Sequence, residues 1–233
     1  MKYGVFAFFS TMAVYNGQRL FKSEQSNQTL WLDWVKKHQR ILFLIVVFCS
    51  MASLTSLFSV LNWNIKSLIL LAIAGVISAL YVIKVKGLKM REVPYLKIHL
   101  IGISWSMILF VFPILNEELN EPVLIYSVAH YFYIIAITIP FDIRDLKHDN
   151  VQYRTIPQVL GVVKSKWFAA LMLSIFVFLM LLVSPGLLPN VMFYIAVSAQ
   201  LVLITLMNEK RSDAYCAGLI DGAIALLGIS YFF

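Results

Sequence analysis

Long apolar segments separated by short charged stretches constrain this chain more than any other feature of its sequence. Most of them reach the roughly 17–25 residues that a helix needs to cross a bilayer, where each segment must satisfy its own backbone hydrogen bonds. The first is the weakest candidate, because its apolar residues run only from Tyr3 to Tyr15. We predict an all-α fold, a bundle of about eight transmembrane helices in a single domain over residues 1–233. The segments are roughly 3–20, 41–60, 67–83, 98–115, 122–140, 167–183, 188–207 and 216–233.

The composition excludes a soluble domain of this size. Hydrophobic residues make up 61% of the chain and charged residues only 13%, with a mean hydropathy of +0.82. Such a surface has too little charge for water but suits lipid. The net charge of +7 could suggest a nucleic-acid partner. On a membrane protein, however, a basic excess usually reflects the cytoplasmic loops, so we expect a lipid bilayer and no nucleic acid as partner.

The positive charges also predict the orientation in the membrane. All but two of the 19 Lys and Arg residues fall in alternate loops, and the two exceptions are Lys2 and Lys66. Because cytoplasmic loops are enriched in Lys and Arg, the richly charged loops are expected in the cytoplasm. We therefore predict an integral protein of a plasma or inner membrane. The cytoplasmic loops would be residues 19–40, 84–97, 144–166 and 210–211.

A charged stretch, FDIRDLKHD, follows the fifth apolar segment. If the helix before Pro140 continues or restarts, Asp142, Asp145 and Asp149 lie on one face of it, within an arc of about 60° around the axis and over a length of roughly 10 Å. Carboxylates so close repel one another unless a cation lies among them. Oxygen ligands near a basic loop suit Mg²⁺, which binds a few carboxylates together with phosphate oxygens. The spacing is therefore compatible with a Mg²⁺ site.

The same stretch has a second interpretation. Arg144, Lys147 and Arg154 could meet the remaining charge of a phosphate substrate. Alternatively, the stretch could be a solvated amphipathic loop in which Asp142 caps a helix and the acids pair with neighbouring cations. The spacing leaves both interpretations open.

Two further regions carry candidate substrate-binding residues. The loop of residues 84–97, with Lys84 and Lys89 among its cations, could be a topology signal alone or could bind anionic headgroups or a diphosphate. Near the N-terminus, Asn16 and Glu24 lie about 80° apart on a helix and could face one cavity, with Arg19 between them. Surface residues at a membrane exit would show the same pattern.

Ionisable residues within the apolar segments are further candidates. His99, His130 and Asp221 lie in or beside predicted spans, where ionisable groups usually face the bundle interior. A structural hydrogen bond explains each histidine equally well. Cys49 and Cys216 lie in or beside apolar segments without metal-ligand spacing, which indicates buried, inert thiols.

The order of a membrane helix, D-x2-D-x3-D and then T-x-P-x3-G resembles the second aspartate-rich region of the UbiA superfamily of intramembrane prenyltransferases. In this chain it reads FDIRDLKHDNVQYRTIPQVLG, over residues 141–161. The basic stretch YVIKVKGLKMREVPYLK, residues 81–97, resembles the family's loop between its fourth and fifth helices.

The resemblance implies an all-helical bundle, usually of nine spans, with a cavity open to lipid. Asp142, Asp145 and Asp149 would be catalytic Mg²⁺ ligands. Arg144, Lys84 and Lys89 would contact the diphosphate. The substrates would be a polyprenyl diphosphate and an acceptor that the sequence does not identify.

The chain departs from the family pattern at two places. The family's first aspartate-rich region is N-x3-D-x3-D, and alignment on Asn16 places Leu20 and Glu24 at the two aspartate positions. Glu24 can ligate a metal, whereas Leu20 cannot, so one Mg²⁺ site is expected to be weakened. The chain also begins at the segment that matches the family's second helix, so we expect either that the sequence starts too late or that this is an eight-span variant.

These observations predict a Mg²⁺-dependent membrane prenyltransferase that transfers a polyprenyl group to an aromatic or lipid acceptor. One alternative is a catalytically degenerate relative that binds an isoprenoid or lipid phosphate. Another is a transporter or structural membrane protein in which the spacing of Asp142, Asp145 and Asp149 is incidental. Transporters often have broken spans with paired Gly or Pro residues, whereas here these residues are scattered.

Overall fold

The computed structural model describes residues 2–23, 30–81, 83, 90–118, 122–147 and 153–232, and these residues contain helices and no strand. Each of the predicted apolar segments corresponds to one helix, so the all-α prediction is confirmed. The helices are α1 (Lys2–Ser23), α2 (Leu30–Lys37), α3 (Gln39–Val60), α4 (Ile65–Leu80), α5 (Leu96–Asn116), α6 (Val123–Asp145), α7 (Ile156–Val183), α8 (Val191–Leu206) and α9 (Tyr215–Ser230).

Four of the described helices, α3, α5, α6 and α7, are long and apolar enough to cross a membrane, and α4, α8 and α9 are shorter apolar helices. Two helices contain π-helical turns: Met107–Val111 in α5 and Tyr215–Ile220 at the start of α9. Many large apolar side chains on the spans are exposed, Leu44 and Phe48 of α3 among them. Outward-facing apolar side chains are expected where the surrounding solvent is lipid.

Helix α6 continues beyond the predicted end of its span. Pro140 lies inside the helix, which ends only at Asp145. Proline has no N–H, so the carbonyl of Ala136 loses its helical donor, but the helix keeps its course over the following turn. This continuation places Asp142 and Asp145 in the last turn of α6.

Helix α7 begins well before residue 167, the predicted start of its span. Thr155 is the N-cap, and its backbone N–H donates to Gln158 Oε1 at 2.9 Å, while Pro157 lies in the first turn, where a missing N–H costs nothing. Gly161 then has φ 76° and ψ 165°, which kinks the helix. The threonine, proline and glycine of the T-x-P-x3-G motif therefore form a helix start and a bend.

The chain forms two compact units. The first comprises residues 1–84 and 107–119, and the second comprises residues 85–106 and 120–233. The single-domain organisation stays a prediction.

The core of the first unit is small, and a polar network lies beside it. Phe6, Val60, Leu61 and Phe112 form the buried cluster. Asn116, fully buried, donates from Nδ2 to the Val60 carbonyl at 2.7 Å and to Tyr3 Oη at 2.6 Å, and accepts from the backbone N–H of Asn62 at 3.0 Å. These bonds join the start of α1, the end of α3 and the end of α5.

The second unit is built around α6, which packs against α5 and α7. Almost every residue of α6 from Tyr133 to Ile143 is buried. Helices α5 and α6 approach closely at Gly102, where a Cβ would lie 2.9 Å from the ring of Tyr131. The Tyr131 hydroxyl is in turn hydrogen-bonded to His99 Nδ1 at 2.6 Å, so the ring is held in that position.

Candidate functional site

A buried carboxylate lies near the end of α6. Asp142 is only 2% exposed, and its Oδ1 accepts from Lys97 Nζ at 2.7 Å. Lys97 lies in the first turn of α5, so the pair joins two helices of the second unit. A buried carboxylate is tolerated when a cation compensates its charge, and Lys97 supplies that cation.

The second carboxylate is held by the residue next to it. Arg144 binds Asp145 through two bonds, Nε to Oδ1 at 2.7 Å and Nη2 to Oδ2 at 3.1 Å. The same guanidinium reaches Asp213 Oδ1 from Nη1 at 3.3 Å and lies 5.4 Å from the centre of the Phe141 ring. Asp213 is far more exposed than Asp145, so Arg144 has one firm and one loose carboxylate partner.

Lys97, Asp142, Arg144, Asp145 and Asp213 are here called the charged end of the second unit. Asp142 and Asp145 lie in the last turn of α6, where the unpaired carbonyls give the helix a partial negative charge. Carboxylates at this end add to that negative charge, whereas helix C-termini usually favour cations. The charged end therefore attracts cations, and Lys97 and Arg144 occupy it.

Other contacts at this end of the unit join its connecting segments. The backbone N–H of Tyr95 donates to the Tyr153 carbonyl at 3.4 Å, and Lys166 Nζ donates to the Thr205 carbonyl at 2.9 Å. The segments around residues 95, 145, 153 and 207 therefore lie at one end of the unit, as the alternating charge pattern predicts. The side of the membrane on which they lie stays a prediction.

The structure describes six of the ten predicted site residues. Asp142, Arg144 and Asp145 lie together, while Arg154 is exposed at the start of α7 with φ 45°. Asn16 and Arg19 belong to the first unit: Asn16 is buried with its amide donating to the Met12 carbonyl at 2.8 Å, and the Arg19 guanidinium lies 4.1 Å from the centre of the Tyr15 ring. Asp149, Glu24, Lys84 and Lys89 lie outside the described residues.

The carboxylates of the charged end suit Mg²⁺ by their chemistry but are engaged with cations of the chain. Within the described residues, no group of three or more His, Cys, Asp or Glu side chains is arranged to hold a metal ion. Asp142 and Asp145 both offer hard oxygen atoms, as Mg²⁺ requires. Asp145 is the more available of the two, because it is partly exposed and its partner Arg144 also reaches Asp213.

Sequence reasoning missed two residues of this site. Lys97 was predicted only as part of a basic loop, and Asp213 was not considered. Their partners lie far away in sequence, and no local spacing indicates such pairs. The only signal in the sequence is that these residues lie in or beside loops predicted on one side of the membrane.

The polar residues predicted inside the spans have structural roles where hydrogen bonds are described. His130 is hydrogen-bonded through Nδ1 to the Tyr126 carbonyl at 2.8 Å and through Nε2 to Tyr231 Oη at 3.2 Å. His99 contacts Tyr131, as described above. Cys49 and Cys216 are free and buried, as predicted. Asp221 is exposed directly after the π-helical turn of α9.

The fold and its apolar helices define an integral membrane protein of the helical class. The model of the UbiA prenyltransferase family matches residues 36–218. The match covers most of the chain, and the protein therefore belongs to this family of membrane prenyltransferases, as the sequence motifs predicted. Membership implies isoprenoid diphosphate and acceptor substrates. Comparison with curated proteins and with solved structures gave no significant match.

The matched region includes the whole charged end, from Lys97 to Asp213. The predicted remnant of the first aspartate-rich region, Asn16 to Glu24, precedes it. The part of the chain that resembles the family's second aspartate-rich region is therefore also the part that the family model recognises.

Proposed function

We propose that this protein transfers a polyprenyl group from a polyprenyl diphosphate to an aromatic or lipid acceptor, in a Mg²⁺-dependent reaction at the charged end. The observation that carries the proposal is the last turn of α6, where Asp142 and Asp145 lie within the family match and each contacts a cation. A diphosphate needs concentrated positive charge to leave, and a long prenyl tail is soluble only in lipid. A membrane bundle with such an end meets both needs.

In this proposal, Asp142 and Asp145 would hold Mg²⁺, and Asp149 and Glu24 are added as ligands by the family resemblance alone. When bound, Mg²⁺ would supply charge neutralisation of the diphosphate as it departs. The oxygen ligands and their position at the negative end of a helix support this assignment.

Arg144 orients Asp145 and also contributes positive charge. Its second carboxylate partner, Asp213, can retain the guanidinium when Asp145 turns towards a metal ion, because Asp213 is already within 3.3 Å. The remaining N–H groups of Arg144 would then donate to phosphate oxygens, as guanidinium groups do readily. Arg154, Lys84, Lys89, Arg19 and Asn16 are proposed as further substrate contacts.

Lys97 holds the buried Asp142 in place through a short ion pair. Its ammonium group lies 2.7 Å from the carboxylate, so it also brings a positive charge to the edge of the proposed diphosphate site. Lys97 is therefore proposed as a positioning residue for Asp142 rather than as a residue that reacts.

A second candidate function has two observations in its favour. Leu20 occupies the position of a metal-binding aspartate in the first aspartate-rich region, and the two described acids of the second region are already neutralised by Lys97 and Arg144. A protein of this kind could bind a prenyl diphosphate without cleaving it.

One experiment separates these functions. The purified protein in lipid bilayers is incubated with labelled polyprenyl diphosphates of several chain lengths, with Mg²⁺ or with a chelator. Transfer predicts release of diphosphate with Mg²⁺ and none with the chelator. Retention of intact substrate on the protein, without release, would support the binding function. If the protein neither binds nor cleaves any of the diphosphates, both functions are wrong.

A further inference from the structure

A groove of about 200 Å³ runs between α7 and α8 in the second unit. Its walls are almost entirely apolar. Ser174 is the only hydroxyl among the lining residues, and its Oγ donates to the Ala170 carbonyl at 3.0 Å within the helix, so its proton is already engaged. The lining residues recur at helical spacing on one face of each helix: Ala170, Leu173, Ser174 and Val177 on α7, and Val197 and Leu201 on α8.

The groove ends at a pair of cations. Lys166 lies one turn before Ala170 on the same face of α7, and Thr205 lies one turn after Leu201 on α8. Lys166 Nζ donates to the Thr205 carbonyl at 2.9 Å, which joins α7 and α8 one turn beyond the lining residues. Arg211 Nε donates to the Leu206 carbonyl at 3.3 Å, beside it.

Lys166 and Arg211 donate to neutral groups. Both hydrogen bonds go to neutral carbonyls at the C-terminal end of α8, and neither Lys166 nor Arg211 has a carboxylate partner within the described part of the chain. Each retains N–H groups that can donate to another oxygen acceptor. An apolar groove with uncompensated positive charge at one end is complementary to a molecule with an apolar tail and an anionic head.

We propose that this groove binds one anionic phospholipid, with an acyl chain along the apolar lining and the phosphate head against Lys166 and Arg211. The acyl chain alone does not discriminate between lipids, so selectivity comes from the head, as at other basic sites between transmembrane helices. Trp167, which is 74% exposed beside Lys166, marks this level as the membrane interface, where tryptophan is enriched. The site lies at the same end of the second unit as the charged end but shares no residue with it, and it does not depend on prenyl transfer.

Native mass spectrometry of the full-length protein tests the headgroup contact. Equal concentrations of phosphatidylglycerol and phosphatidylcholine are offered in detergent, and the protein should retain phosphatidylglycerol several-fold better. Lys166→Gln should lower this retention about fivefold, the usual effect of one cation near a lipid head. Lys164→Gln removes the same charge from the other side of α7 and should leave retention unchanged.

A second pair of variants tests the acyl-chain contact. Ser174→Leu fills the groove and should abolish preferential retention. Ser198→Leu makes the same change at an exposed position of α8 that does not line the groove, so it should leave retention unchanged.

Equal retention of the two lipids, or equal losses in Lys166→Gln and Lys164→Gln, would overturn the proposal. Displacement of the bound lipid by a prenyl diphosphate would also overturn it, because the groove would then belong to the substrate.

Discussion

At the scale of single residues, charge compensation explains how two acids are tolerated at the end of α6. Asp142 is buried against Lys97, and Asp145 is clamped by Arg144. A buried ion pair gives little net stability relative to an apolar pair of similar volume, but removal of one partner is costly because it leaves an isolated buried charge. The two members of the Lys97–Asp142 pair therefore have to be tested singly and together.

Lys97→Met should destabilise the protein by about 3–5 kcal/mol, because it removes the cation that lies 2.7 Å from the buried Asp142 carboxylate. The double variant Lys97→Met/Asp142→Leu should recover most of that loss, since both charges are gone. Thermal unfolding in detergent measures both effects. If Lys97→Met is as stable as the unmodified protein, the burial of the Lys97–Asp142 pair is contradicted.

Glu117, just after the end of α5, should make the stability of the protein depend on pH. The pKa of its carboxyl lies below the usual value near 4.5, because Lys2 and then Tyr3 donate hydrogen bonds to it. Since the folded-state pKa is depressed, the stabilisation is complete above the usual pKa and is lost as the pH falls through the lower folded value.

Glu117→Gln should therefore reduce the loss of thermal stability between about pH 5 and pH 2. The neighbouring Glu118→Gln removes the same charge from an exposed side chain and should leave the profile of the unmodified protein. Thermal unfolding followed across this pH range distinguishes the two. Identical profiles for both variants would contradict the role of Glu117.

At the scale of elements, the start of α7 shows what hydropathy alone overlooks. The predicted span began near residue 167 because Lys164 and Lys166 interrupt the apolar run, yet the helix begins at Ile156. Thr155, Pro157 and Gln158 are local start signals that were present in the sequence and that a search for apolar runs does not use. The kink at Gly161 follows from the same motif.

Gly161→Ala should destabilise the protein by about 1–2 kcal/mol, because φ 76° lies in the left-handed region that a Cβ disfavours. No atom lies within 4 Å of the added Cβ, so the cost is backbone strain and not a clash. Gly75→Ala, in the interior of α4 with equally open space and no such φ, should instead gain roughly 0.5–1 kcal/mol. Chemical or thermal unfolding of the two variants provides the comparison, and a neutral Gly161→Ala would contradict the strain.

At the scale of the whole molecule, the positions of the helices were predictable and the pairing of distant residues was not. Each span is a local property of apolar length, which explains the agreement between predicted segments and helices. The contacts Lys97–Asp142 and Arg144–Asp213 depend on how helices pack, and loop sequences do not specify that register. The aspartate pattern nevertheless indicated Asp142 and Asp145, because an i, i+3 spacing is itself local.

The predicted orientation can be tested by cysteine labelling. Lys147→Cys and Gly186→Cys place thiols at exposed positions on either side of α7, and the two native cysteines are buried. If the charged end faces the cytoplasm, a membrane-impermeant maleimide should label Gly186→Cys in intact cells and Lys147→Cys only after permeabilisation. The reverse pattern would contradict the orientation inferred from the positive charges.

The central claim is that Asp145 is part of a Mg²⁺-dependent site for diphosphate release. The most direct measurement compares the rate of diphosphate release from a labelled polyprenyl diphosphate by the unmodified protein, by Asp145→Asn and by Glu209→Gln, each with Mg²⁺ in lipid bilayers. Glu209 is exposed at the same end of the second unit, so its variant controls for the loss of one negative charge. The proposal predicts that Asp145→Asn abolishes release while Glu209→Gln leaves it intact. Unchanged release in Asp145→Asn would contradict the metal role of this carboxylate.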